Sequence, residues 1–182
     1  MRMASQNHVV GGRPVHSALL PMNDIRISEE RPLSAPAAKA CAAFSWSLRV
    51  YYEDTDAGGV VYYANYLRFF ERCRTEWMRT LGFDQSALAQ VHGVLFVVAA
   101  ADIRYIRPAR LDDELIIESR IVERYSCHVV FEQKALRGSE LLSRARVKVA
   151  CVDARSLRPA RLPAALADLL PEIEPPPLPS TL

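Results

Sequence analysis

Asp56 stands in the run Asp54-Thr55-Asp56-Ala57-Gly58-Gly59-Val60-Val61-Tyr62-Tyr63, after a segment that alternates like a strand and before one that repeats like a helix. A carboxylate in that setting has two readings. It can close an Asx turn or cap the helix. It can also attack a carbonyl carbon or take a proton from water, because glycines let a ligand approach the backbone and N–H groups at a helix start polarise an oxygen that becomes negative. Spacing alone leaves both open. No Ser-His or Cys-His pair competes with the aspartate in this stretch. Asp54 and Asp56 also spell D-x-D, which could hold a divalent cation only with further oxygen ligands or a bound phosphate. No nucleotide-binding pattern accompanies the pair, so the site is read as metal-free and without a cofactor.

Two elements must position that aspartate. Trp46, Leu48, Val50 and Tyr52 alternate with Ser47, Arg49 and Tyr51, the period of a half-buried strand, and this places Tyr52, Asp54 and Asp56 on one side of its end. Beyond the turn, Tyr62, Tyr66, Phe69, Phe70, Cys73, Trp77, Met78 and Leu81 recur at spacings of three and four, for about five helical turns. So broad an aromatic stripe must be covered. Gly82 is placed to end that helix, and Asp84 to open a short one through Val91. Four strand-like runs follow: Val94 to Tyr105, Glu114 to Arg124, Cys127 to Arg137 and Leu141 to Val152. Their short connections, Gly138-Ser139 among them, predict antiparallel pairing. A short helix from Ala164 to Leu170 closes the domain. The fold class is therefore α+β, with a five-stranded antiparallel sheet able to curl around one long central helix.

The 182 residues suit one domain with tails, and half of them are hydrophobic. Residues 1–43 carry scattered Gly and Pro with neither period and are expected to be disordered; 44–170 form the domain; 171–182 are a Pro-rich tail. A net charge of +2, from 23 basic and 21 acidic residues, calls for neither nucleic acid nor an anionic membrane. Cys41, Cys73, Cys127 and Cys151 show no metal-ligand spacing and are expected to be reduced thiols, which places the chain in the cytoplasm. No run reaches the ~18 to 20 apolar residues of a membrane span.

The segment Arg49 to Tyr66, R-V-Y-Y-E-D-T-D-A-G-G-V-V-Y-Y-A-N-Y, resembles the signature of the 4-hydroxybenzoyl-CoA thioesterase family, most nearly its Tol-Pal-associated acyl-CoA thioesterase branch. The similarity continues through Phe70 to Glu76, Tyr105 to Asp113 and Val149 to Asp153, and spans about Ser45 to Leu166. It implies the hotdog fold and subunits paired so that each active site lies at a dimer interface, as a dimer or a homotetramer built as a dimer of dimers. It matches the catalytic carboxylate to Asp56 and the carbonyl-polarising backbone N–H to Tyr63. Much of that branch has histidine where Tyr63 stands; tyrosine removes a possible acid or base and leaves the backbone donor. Tyr52, Gly58, Gly59 and Val60 are candidate substrate contacts. The family's CoA phosphate site uses basic and hydroxyl residues near the break after the second run, where Arg124, Ser126 and His128 are the candidates here, in a loop that departs from the family pattern.

The activity implied is acyl-CoA thioester hydrolysis in lipid metabolism, with Asp56 as nucleophile or general base. A hotdog dehydratase would want a histidine beside its carboxylate, and the turn and helix contain none. The alternative is a non-catalytic or weakly catalytic partner of acyl carrier protein or lipid-synthesis proteins. Arginines on the outer helix face would serve such a partner, and a solvated charged face explains them equally well.

Overall fold

The computed structural model describes residues 43–171 and residue 173. The expected N-terminal arm, nearly all of the Pro-rich tail and Cys41 lie outside the described residues. Strand β1 (Phe44–Arg49) is followed by the acidic turn, helix α1 (Asn65–Thr80), helix α2 (Gln85–His92), strands β2 (Val94–Tyr105), β3 (Glu114–Arg124), β4 (His128–Arg137) and β5 (Glu140–Asp153), and a single turn of helix, α3 (Ala164–Ala167). The strands form one antiparallel sheet in the order β1-β3-β4-β5-β2. Both β1 and β2 are therefore edges.

The aromatic stripe of α1 is buried as its spacing requires: Phe69, Phe70 and Cys73 are fully enclosed, and Tyr66 nearly so. Facing them are Leu115 and Ile117 of β3, Ala135 of β4 and Val147 of β5. Burying each phenylalanine contributes roughly 1.5 to 3 kcal/mol relative to leaving it in water. Polar groups also join helix to sheet. Gln133, fully buried on β4, donates from Nε2 to the carbonyl of Phe70 at 2.9 Å and to Ser119 Oγ at 2.6 Å, while its Oε1 accepts from Arg74 at 2.6 Å. Burial pushes the neighbouring Cys73 thiol up.

At its far end α1 stops at Gly82, whose φ of +85° suits the one residue type without a Cβ. The Phe83 N–H then donates back to the Met78 carbonyl at 3.0 Å, closing the terminus. Asp84 Oδ1 caps α2 by accepting from the Ala87 N–H at 2.7 Å.

Several boundaries differ from the sequence expectation: α3 ends at Ala167 rather than Leu170, β4 and β5 shift by one residue at their ends, and two larger differences lie around the acidic turn. Helix α1 begins at Asn65 rather than Tyr62: Tyr62 to Ala64 form a separate turn, closed by the Asn65 N–H on the Tyr62 carbonyl at 2.8 Å and tied to the loop by the Tyr62 N–H on the Asp54 carbonyl at 2.8 Å. Strand β1 ends at Arg49, and Tyr52–Asp54 coil into a turn of 3-10 helix. Tyr52, Asp54 and Asp56 consequently do not share one side: Tyr52 is exposed, Asp54 buried and Asp56 exposed. Among the described residues, no helix is long and apolar enough to cross a membrane.

Candidate active site

The acidic turn is a small closed loop. Thr55 and Val61 bridge its base, the Asp56 N–H donates to the Val60 carbonyl at 2.9 Å, and the Gly59 N–H returns to the Asp56 carbonyl at 3.0 Å. Gly59 takes φ +70°, which a side chain would strain. The Asp56 carboxylate is held by its own loop, Oδ1 accepting from the Gly58 N–H at 2.8 Å. That is the Asx turn, and it leaves Oδ2 open. A Cβ on Gly58 would stand 3.0 Å from Oδ1, so glycine here gives the carboxylate its room.

The loop is pinned to the start of α1 by buried polar groups. Asp54 accepts at its carbonyl from the Tyr62 N–H and, at 3.0 Å, from Asn65 Nδ2; its carboxylate Oδ2 accepts from the Tyr51 N–H at 2.9 Å. The Val61 N–H donates to the Ala109 carbonyl at 2.8 Å, and the Val50 N–H to that of Asp113 at 2.9 Å. The loop therefore rests on the segment leading into β3.

Tyr63 sits in the turn just before α1, exposed, with no acceptor for its N–H among the described residues. Its carbonyl accepts from the Tyr105 hydroxyl at 3.0 Å, which fixes the plane of the peptide to the β2 edge. The rings of Tyr62, Tyr63, Tyr66 and Tyr105 gather around that point, with centroids 4.5 to 6.3 Å apart. Burial raises the Tyr66 and Tyr105 phenols above their usual range, and Tyr63 first and the Asp56 charge last do so for Tyr62. These hydroxyls stay protonated at neutral pH. An exposed carboxylate oriented by one N–H, in a loop that leads into the positive end of a 16-residue helix, has the chemistry to act on a carbonyl whose oxygen becomes negative.

Gly58, Gly59 and half-buried Val60 stay with Asp56 in the loop, and exposed Tyr52 is tied to it through Thr55 Oγ1, which donates to its carbonyl at 2.9 Å. Arg124 and Ser126 do not join them in one protomer. Arg124 is the last residue of β3 and Ser126 lies just beyond it, at the opposite end of a strand whose 11 residues at about 3.3 Å each separate the two places by roughly 30 Å. Arg124 donates from one guanidinium nitrogen to the carbonyls of Ala167 and Leu170, at 2.7 and 3.0 Å, and so fastens the C-terminal segment. His128 stacks on Tyr125, with Nδ1 3.8 Å from Cys127 Sγ, a thiol–imidazole contact between adjacent residues that no ligand spacing announces. Among the described residues no three His, Cys, Asp or Glu side chains converge as metal ligands would. Tyr105 and Asn65 are the positions that sequence reasoning missed. Tyr105 faces Tyr63 through the placing of β2, which no local pattern encodes; Asn65, at the helix start, carries a readable polar signal.

One long helix wrapped by a five-stranded antiparallel sheet, with an aspartate-glycine turn at the helix start, defines a hotdog thioesterase domain. The family model described as the thioesterase-like superfamily matches residues 50–170, and the chain belongs to that family. It is similar to the acyl-CoA thioesterase YbgC of Haemophilus influenzae, 50% identical over 120 residues, which cover 66% of this chain and 88% of the relative. The acyl-CoA thioester hydrolase YbgC of Escherichia coli is 46% identical over 124 residues, covering 68% and 92%. Among solved structures, a probable thioesterase from Bartonella henselae superposes with a TM-score of 0.65 at 41% identity, covering 67% of this chain and all of that one.

Proposed function

We propose that this protein hydrolyses acyl-CoA thioesters with Asp56 as its reactive carboxylate. The observation that carries this is the exposed Asp56 carboxylate, held by the Gly58 N–H in the loop that leads into α1, at whose start the Tyr63 N–H is unbonded among the described residues. In the reaction the thioester carbonyl oxygen lies against the Tyr63 N–H and gains charge there. Asp56 then either attacks the carbonyl carbon, expelling CoA thiolate and leaving an acyl-aspartate anhydride for water to open, or removes a proton from an attacking water. Tyr52, Gly58, Gly59 and Val60 border the path of the thioester. Arg124 and Ser126 are assigned to the CoA phosphates.

A homodimer formed along β2 fits this reading. The strand is 12 residues long and sits at an edge, with Val97, Val98 and the three alanines after them exposed. An unpaired apolar edge of that length invites a partner strand. Pairing two copies would bring residues of one subunit to the Asp56 loop of the other, and two dimers could stack as a tetramer. Cys73, Cys127 and Cys151 are free thiols, which suits the cytoplasm.

Release of CoA from short, long and aromatic acyl-CoAs, followed as free thiol, tests the activity and reads the acyl preference. Absence of turnover with every thioester, together with stoichiometric co-purification of acyl carrier protein, would overturn it in favour of a binding protein. Label recovered in Asp56 after a single turnover in oxygen-18 water reports an acyl-aspartate opened at the aspartyl carbonyl; label in the acid alone is common to direct attack of water and to an anhydride opened at its acyl carbonyl, and trapping of acyl-Asp56 by hydroxylamine separates those two.

A further inference from the structure

A second feature lies away from the Asp56 loop. Between the later turns of α1, helix α2, the concave face of the sheet and the C-terminal segment is a cavity of about 290 Å³. Its walls are apolar, including Met78, Phe96, Phe131, Val149, Leu166 and Leu170. Its polar rim is a chain in which Gln85 Nε2 donates to Thr75 Oγ1 and Thr75 Oγ1 donates to Glu71 Oε1. Among the described residues one cation borders the space, Arg74. Its guanidinium stands 5.9 Å from the centroid of the Phe131 ring and bonds through one nitrogen to Gln133 Oε1.

Six other arginines pair with carboxylates, at positions 49, 79, 107, 120, 137 and 146, and Arg74 is in none of the ion pairs among the described residues. Glu71, one turn earlier, lies outside ion-pair reach and is engaged by Thr75. No half-buried side chain among the described residues leaves a buried nitrogen or oxygen unbonded. The remaining N–H groups of Arg74 are therefore accessible, and Arg74 is among the residues that line the cavity. Burial lowers the Arg74 pKa below the usual range, against the Glu71 charge that raises it, and arginine remains charged at neutral pH.

We propose that this cavity is a binding site for a free monocarboxylic acid with an apolar chain, its carboxylate on Arg74 and its chain against the Phe131, Phe96 and Leu166 walls. A guanidinium fork matches a carboxylate in shape and charge. At about 30 Å³ per small group, the volume admits roughly ten heavy atoms, the size of octanoate. Arg74 and Met78 lie 9 and 13 residues beyond Asn65, about 14 to 20 Å along α1 at 1.5 Å per residue, so the site is separate from the Asp56 loop of its own subunit. Such an acid is also the product class of thioester hydrolysis; that link rests on the function proposed above, and the binding does not.

Calorimetric titration of the full chain with sodium octanoate tests the site, with octan-1-ol as the uncharged control. Octanoate is expected to bind one per subunit, at least tenfold more tightly than the alcohol, and Arg74→Met to erase that preference. Asp56→Asn is expected to bind octanoate as the parent does, even where it hydrolyses nothing, so failure of the hydrolase reading leaves this result intact. Equal binding of acid and alcohol, preference surviving in Arg74→Met, or loss of binding in Asp56→Asn would each overturn the proposal. Should Arg74→Met not fold, Leu166→Trp fills the cavity from the opposite wall and must abolish octanoate binding; retention refutes the site.

Discussion

Replacing Asp56 with asparagine changes the charge of one group and almost nothing of its setting. The amide oxygen can still accept the 2.8 Å bond from the Gly58 N–H, and the side chain is exposed, so no buried partner is stranded. Exchanging a charged acceptor for a neutral one at a single hydrogen bond costs about 1 kcal/mol at most. For a domain of this size that is a fall in Tm of roughly 3 to 5 °C or less. The chemistry should lose far more. A neutral amide neither attacks a thioester nor accepts a proton from water at neutral pH, and a loss of about 10³ in kcat corresponds to roughly 4 kcal/mol of transition-state stabilisation. Asp56→Ala removes the acceptor as well and should unfold a few degrees below the asparagine variant at an equally low rate. Thiol release and thermal unfolding, measured on the three proteins together, distinguish the effects. Asparagine retaining more than about a tenth of the parental kcat would refute the role of Asp56; alanine being much slower than asparagine would show that the loop geometry, and not the charge, carries the rate.

Gly58→Ala places a methyl 3.0 Å from Asp56 Oδ1 and should lower kcat about tenfold with little change in Tm, because the carboxylate must give way while the backbone need not. Tyr105→Phe deletes the hydroxyl bonded to the Tyr63 carbonyl; a loss of about 1 kcal/mol there should cut kcat/KM some fivefold while the ring packing persists, and an unchanged kcat/KM would remove Tyr105 from the site. His128 has its pKa lowered, by burial first and the Lys148 charge second. Its unfolded form takes up a proton near pH 6.5 before the folded form does. Stability should therefore fall as pH drops through 6.5 toward the lower folded value, and His128→Gln should flatten that part of the Tm profile.

What is legible in this sequence follows its local periods. The stripe of α1 and the alternation of Leu115, Ile117, Ser119 and Ile121 are short-range patterns; the strand set and Tyr66, Phe69, Phe70 and Cys73 of the helix are buried, Trp77, Met78 and Leu81 are half-buried, and Tyr62 is exposed. The start of α1 is misplaced because Tyr62 fits the helical period equally well, yet it opens a separate turn tied to Asp54, eight residues back. Asp56 can be singled out from its neighbours, but its hold on the Gly58 N–H and the buttress from Tyr105 depend on loop closure and strand placement. The Arg74 cavity is not legible at all. Arg74 reads in sequence as one more charge on a solvated face, and only the fold shows that it borders an apolar cavity, with Glu71 on the same rim but outside ion-pair reach.

The Gln133 bonds have a consequence for how this molecule tolerates change. A helix held by greasy contacts alone can creep in its groove, and a creep of one residue would turn α1 by about 100° and shift it by about 1.5 Å. The Tyr63 N–H at its end would then miss any carbonyl that it had met before. Gln133 acts as a key in a keyway: from the middle of the sheet it grips Phe70 and Arg74 of the helix and Ser119 of the next strand, and a slip would break those bonds together. Repacking the aromatic core should therefore be tolerated so long as the key remains. A leucine at 133 would remove these bonds together and leave Asn65, Tyr66 and Cys73 as the remaining polar ties of the helix, and turnover should decline before the fold is lost.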